Sequence, residues 1–214
     1  MSVLGELQPN KVFKYFEEIC SIPHGSRNLQ QISDYLVDFA KAHELKYRQD
    51  EDLNVIIWKD GSKGYEASEP VILQGHMDMV AVKEADCDKD MEKEGLDLEI
   101  NGDYISAKGT SLGGDDGIAV AYTLAVLDDE EMAHPPIEAI FTVNEEIGML
   151  GAATIDVSDL KGRLFMNMDS EDEGVFTVSC AGGASVICKI PYETETVNAS
   201  VIEIKMTGFA GGHS

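Results

Sequence analysis

An α/β fold, a sheet covered by helices on both faces, is predicted by three features of the sequence. Short apolar segments alternate with stretches of helical periodicity. Three of those apolar segments run directly into His, Glu or Asp, as strand ends of an open α/β sheet do when they carry a site. Of the 214 residues, 43% are hydrophobic, enough for one well-packed domain and the start of a second.

The elements follow in order. Val12, Phe13, Phe16, Ile19 and Cys20 recur at helical spacing in a segment that ends near Pro23. A second helix is carried by Leu29, Ile32, Tyr35, Leu36 and Phe39. Residues 45–49 and 54–58 read as strands, the latter closed by the turn pair Asp60-Gly61. Residues 71–73 form a short apolar strand that ends at Gln74-Gly75-His76. Residues 83–103 are polar and acidic and read as a long surface loop with an Asn101-Gly102 turn. Residues 117–127, rich in Ala and Val, predict a helix. Pro135-Pro136 then breaks the chain before a strand at 137–143 that runs into Asn144-Glu145-Glu146. A strand at 164–168 runs into Asp169. After Gly182-Gly183 the pattern changes, and residues 185–190 and 200–206 alternate like strands of a different sheet. The expected organisation is a first domain over 1–184 and the beginning of a second over 185–214.

Charge narrows the partners. With 16 Lys plus Arg against 40 Asp plus Glu, the net charge is -24. Such a surface repels phosphate backbones and anionic headgroups, so neither nucleic acid nor a membrane is expected as a partner. The N-terminus lacks a basic segment followed by an apolar run, and no stretch is long and apolar enough to span a bilayer. Cys20, Cys87, Cys180 and Cys188 show no CxxC spacing, which predicts reduced, buried thiols and a cytoplasmic location. In that setting the sequon Asn198-Ala199-Ser200 is a chance match.

The chemistry concentrates at strand ends. The segment at 71–73 delivers His76 and Asp78, the one at 137–143 delivers Glu145 and Glu146, and the one at 164–168 delivers Asp169. Asp115-Asp116 follows Gly113-Gly114 and precedes a helix, whose start tolerates carboxylates. This set suits a hydrolytic zinc pair. Zinc takes imidazole nitrogen and carboxylate oxygen, and two neighbouring ions need a carboxylate to bridge them. A further carboxylate must stand beside the metals to accept a proton from water. Asp78, two residues after His76, is spaced to orient the imidazole through its second nitrogen. Glu145 and Glu146 can divide the labour, one binding metal and one acting as base. Each piece has a structural alternative: His76 as a hydrogen-bonded strand-end residue, Asp115-Asp116 as a helix cap, the glutamates as solvated surface, and Asp169 as a turn cap.

Other motifs fail. His43-Glu44 would open HExxH, but position 47 is Tyr. Asp86, Asp88 and Asp90 begin like a calcium loop, yet its sixth position is Met91 and its twelfth Asp97. Gly113-Gly114 lacks the ending of a phosphate loop, and no GxSxG elbow is present.

Four ordered segments carry a resemblance: VILQGHMDMV at 71–80, GTSLGGDDGIA at 109–119, TVNEEIGM at 142–149 and MNMDSEDEG at 166–174. With Ile19-Cys20-Ser21-Ile22-Pro23 before them and Gly211-Gly212-His213-Ser214 after them, the chain resembles the co-catalytic metallopeptidases of the aminoacyl-histidine dipeptidase family. The resemblance implies a zinc-peptidase-like mixed sheet flanked by helices, followed by the beginning of an α+β lid and dimerisation domain. It implies two zinc ions, with cobalt or manganese as substitutes, and hydrolysis of dipeptides of the Xaa-His type. His76 and Asp169 would hold one ion, Asp115 would bridge, and Glu146 would hold the second. Glu145 would be the general base and Asp78 the support of His76, with a cis peptide between Asp115 and Asp116. His213 resembles the lid histidine that helps bind substrate, often across a homodimer interface. Family members run to about twice this length, and their last His ligand has no counterpart among His24, His43, His76, His134 and His213. The chain therefore reads as an incomplete portion of the enzyme, with His24 and His134 as structural or surface residues. A tripeptidase, a deacylase or an inactive metal-binding fragment are the alternative readings.

Overall fold

The computed structural model describes residues 2–208 apart from 171, 173, 181, 183–185 and 197. The chain divides into two units, Met1–Val175 and Phe176–Ser214.

In the first unit, helices α1 (Asn10–Cys20) and α2 (Gln30–Ala42) bury most of the residues whose spacing predicted them, with Phe13 and Tyr35 partly buried. Val12, Tyr15, Phe16, Ile19 and Cys20 line one stripe of α1, and Ile32, Leu36 and Phe39 one of α2. Helix α2 ends in paired bonds from Leu45 N–H to the Ala40 carbonyl and from Glu44 N–H to the Lys41 carbonyl. Glu44 sits between them at φ 54°, in the left-handed conformation that this stop requires.

The main sheet has the order β1-β2-β6-β3-β7. Its strands are β1 (Lys46–Gln49), β2 (Val55–Lys59), β3 (Val71–His76), β6 (Ile137–Thr142) and β7 (Leu164–Asn167). Between β3 and β6 in the chain lie a hairpin, β4 (Leu98–Asn101) with β5 (Tyr104–Ala107), and helix α3 (Gly114–Asp128). β1, β2 and β6 pair antiparallel, while β3 runs parallel to both β6 and β7. A mixed α/β sheet flanked by helices is therefore the observed class. Alternation along the strands explains its two faces. Val55, Ile57, Ala139 and Phe141 join α1, α2 and α3 in one core cluster. Ile56, Ile72 and Ile140, also buried, point the other way. On that second face the buried carboxylate of Glu138 accepts the N–H groups of Lys161 and Gly162 at 2.9–3.0 Å.

The register places the site. β3 pairs with β6 from Val71↔Ile137 to His76↔Thr142, and with β7 from Val71↔Leu164 to Gln74↔Asn167. Three parallel strands thus end at one edge, each releasing its polar residues there.

Several expectations need correction. The 83–103 segment is not wholly loop, because β4 occupies its end and pairs with β5 across Gly102, at φ 65°. The short helix α4 (Leu150–Thr154) lacks the length that makes periodicity readable. Of the four free thiols only Cys20 is buried, and Cys180 and Cys188 are exposed. In the second unit the described residues form no helix or strand, so the alternating segments after 185 are not strands here. The expected boundary at 184 falls on a residue outside those described. Among the described residues no helix is long and apolar enough to cross a membrane.

Candidate metal centre

His76, the last residue of β3, is 1% exposed and is gripped from both sides. Its Nδ1 lies 2.9 Å from the main-chain oxygen of Asp78. The Asp78 carboxylate lies behind it at 3.5 Å, so the same residue faces Nδ1 with its carbonyl and its side chain. A proton on Nδ1 donates to that carbonyl and leaves the Nε2 lone pair free to ligate. Among the described residues Nε2 faces three carboxylates: Asp115 Oδ1 at 3.0 Å, Glu145 Oε2 at 3.8 Å and Asp169 Oδ2 at 3.9 Å. Burial disfavours charge on this ring, but Asp78, Asp116 and Glu145 outweigh it and raise its pKa to about 10. An environment that holds a proton so firmly also favours a divalent cation.

Asp115 and Asp116 open α3 with non-helical backbone angles, and the peptide bond between them is cis, as the resemblance implied. They diverge in role. Asp115 turns to His76 Nε2, whereas Asp116 is buried and accepts the His76 main-chain N–H at 3.1 Å. Burial, reinforced by Asp169 and Asp115 against the opposing charge of His76, pushes the Asp116 carboxyl up to about 8. A side chain at residue 75 would meet this carboxylate at 2.8 Å, so the approach of α3 to β3 requires Gly75.

Asp78 is 1% exposed and fully engaged. Ser26 Oγ donates to its Oδ2 at 2.7 Å, and the Glu145 main-chain N–H donates to its Oδ1 at 3.0 Å. Burial opposes its charge, yet His76, Ser26 and that N–H hold its pKa below the usual carboxylate range. Glu145 stands higher than usual, through burial and the charges of Asp169, Asp78 and Asp115, with His76 opposing. Ligand atoms of His76, Asp115 and Glu146 lie within 4.8 Å of one another. One imidazole and several carboxylates converging this closely are a donor set that fits zinc.

The structure thus brings His76, Asp78, Asp115, Glu145, Glu146 and Asp169 to one edge of the sheet. His213 lies outside the described residues. His24 and His134 are buried and bound to main-chain oxygens, at 2.6 Å to Ile22 and 2.8 Å to Pro135. Sequence reading missed Ser26 and the inward role of Asp116. It also missed Asn54, which accepts the Val143 N–H at 3.1 Å and steadies the end of β6. No local pattern marks such residues, because their partners are distant in the chain.

The chain is similar to known proteins in both sequence and fold. The chain is 39% identical over 216 aligned positions to the cytosol non-specific dipeptidase of Escherichia coli, covering 100% of the chain and 44% of that relative. Over its whole length the chain matches the N-terminal portion of that dipeptidase. The crystal structure of aminoacylhistidine dipeptidase from Vibrio alginolyticus superposes on the chain with a TM-score of 0.78 at 40% identity, over 80% of the chain and 35% of that protein. A Staphylococcus aureus tripeptidase shares the fold, with a TM-score of 0.64 at 23% identity over 78% of the chain and 45% of its own. No family profile matches. The chain spans less than half the length of these relatives.

Proposed function

We propose that this chain supplies the metal-binding half of a two-zinc dipeptidase, a cytosolic hydrolase of Xaa-His peptides. The observation that carries the reading is the convergence of His76, Asp115 and Glu146 within 4.8 Å, with Glu145 and Asp169 against the same imidazole nitrogen. His76 and Asp169 would hold one ion, Asp115 would bridge, and Glu146 would hold the other. A bound zinc pair supplies polarisation of the scissile carbonyl and a lowered pKa for the attacking water.

The remaining work falls to protein groups. Glu145, with its pKa raised and its main chain anchored on Asp78, takes the proton from water and returns it to the leaving amine. Asp78, through its carbonyl, keeps the His76 proton on Nδ1 so that Nε2 faces the metal. His213 is assigned to substrate binding by resemblance alone, and pairing of two copies belongs to the same reading.

The two metal positions are unequal among the described residues: His76, Asp169 and Asp115 serve the first, Asp115 and Glu146 the second. Competitive zinc titration is expected to give one tight and one weak ion, with slow hydrolysis of Xaa-His dipeptides. Glu145→Gln is expected to keep the tight ion and lose about a hundredfold of that turnover. Two equal tight sites, or turnover unaffected by Glu145→Gln, would overturn the assignment.

A further inference from the structure

The loop between α1 and α2 touches both strand ends that carry the site. Ser26 N–H bonds to the Met79 carbonyl, Met79 N–H bonds to the His24 carbonyl, and Gly25 bridges Met79 in parallel. One residue on, the Arg27 N–H donates to Asn144 Oδ1 at 2.8 Å, next to Glu145. The loop is therefore pinned to the segment after β3 and to the segment after β6. At its centre the Ser26 hydroxyl donates to Asp78 Oδ2. The opposite oxygen of that carboxylate receives the Glu145 N–H and lies 3.5 Å from His76 Nδ1.

We propose that Ser26 is a positioning residue: by fixing the rotation of the Asp78 carboxylate, it sets the spacing between His76 and Glu145. A carboxylate turns about its terminal torsion in a broad, two-fold well, and packing alone does not define that angle. Hydrogen bonds to both oxygens do. With the hydroxyl removed, Oδ2 is left buried with one donor fewer, and Asp78 relaxes toward whatever donor remains. The Glu145 main chain then loses the fixed acceptor that holds it beside the imidazole. Ser26 is not among the residues whose ligand atoms converge, and its hydroxyl is given to Asp78. The proposal rests on the functional reading above only where it speaks of metal.

The test compares Ser26→Ala, Ser26→Thr and Ser26→Cys with the parent chain. Amide hydrogen exchange at Glu145 is measured in metal-free protein, zinc affinity by competition, and global stability by urea. Ser26→Ala is expected to speed Glu145 exchange about tenfold, the scale of one charge-assisted hydrogen bond. The Val143 amide, held by Asn54, should be unmoved, and the tight zinc should weaken severalfold. Ser26→Thr, which keeps the hydroxyl, is expected to behave as the parent. Ser26→Cys, nearly isosteric with a weak donor, should fall between and stands in for the Ala variant should that one not fold. Unchanged Glu145 exchange in the Ala and Cys variants, or Thr failing alongside Ala, would overturn the proposal. A parent chain that binds no zinc would refute the metal reading while leaving the exchange comparison decisive for Ser26.

Discussion

His24 shows how a buried side chain outside the chemistry still sets a working range. It is 3% exposed, and burial lowers its pKa below the ordinary value near 6.5, against the Ile22 carbonyl and the charge of Asp78. Below that value the unfolded chain binds the proton more readily than the folded one, so stability present at neutral pH is lost as pH falls through the folded pKa. His24→Asn, which keeps a donor near the Ile22 carbonyl, is expected to flatten the fall in the urea midpoint between about pH 7 and about pH 5. An equally steep fall in the variant would count against it. At this scale the sequence displayed His76, Asp78, Glu145, Glu146 and Asp169 because each directly follows an apolar strand. Ser26 was invisible, since its bond to Asp78 spans 52 positions of sequence. Asp116 was visible as half of a pair, but only the fold separates the carboxylate that turns to the ring from the one that turns to the backbone.

Among the elements, β6 does the most to hold the frame. All six of its residues are buried, which the apolar run from 137 anticipates everywhere except at Glu138. That carboxylate satisfies the N–H groups of Lys161 and Gly162 and thereby ties the segment before β7 to the centre of the sheet. Glu138→Ala strands both donors and is expected to lower unfolding stability by about 2 kcal/mol, read from urea denaturation. A change below about 0.5 kcal/mol would mean that solvent reaches those amides. Long periodic or continuous apolar segments (α1, α2, β3, β6) were legible, because burial of one face or of both leaves a pattern. The β4–β5 hairpin was not, since Leu98 and Ile100 alternate over only four residues at the end of a polar, acidic stretch. Helix α4, five residues long, is set by Gly151 packed against Asn54 and Val143, not by any stripe of its own.

Across the molecule, the excess of 24 negative charges makes cation binding a stability term as well as a site property. A ligand that binds only the folded state at about a hundred times its dissociation constant adds about 2.7 kcal/mol. For a chain of this size that is an expected rise in Tm of about 5–10 °C on adding zinc, reversed by chelator. His76→Ala should abolish the rise, whereas a magnesium control should give little, since magnesium prefers an all-oxygen octahedron. An equal rise in the His76 variant would point to diffuse charge neutralisation instead. The fold class was legible at this scale from strand–helix alternation. In the second unit, where the described residues form no strand, alternation records only which residues could face a core.

Strand β7 ends the sheet, and Leu164, Phe165 and Met166 on it are 47–59% exposed, on both of its faces. Among the described residues no strand pairs with its outer side. An apolar border with open main-chain donors and acceptors is a template on which another polypeptide can crystallise its own backbone order. In concentrated solution this chain is therefore expected to add to itself along that border, growing heavier with concentration in sedimentation velocity. Phe165→Lys should keep it light, and a parent that stays light at every concentration would show that the border is shielded.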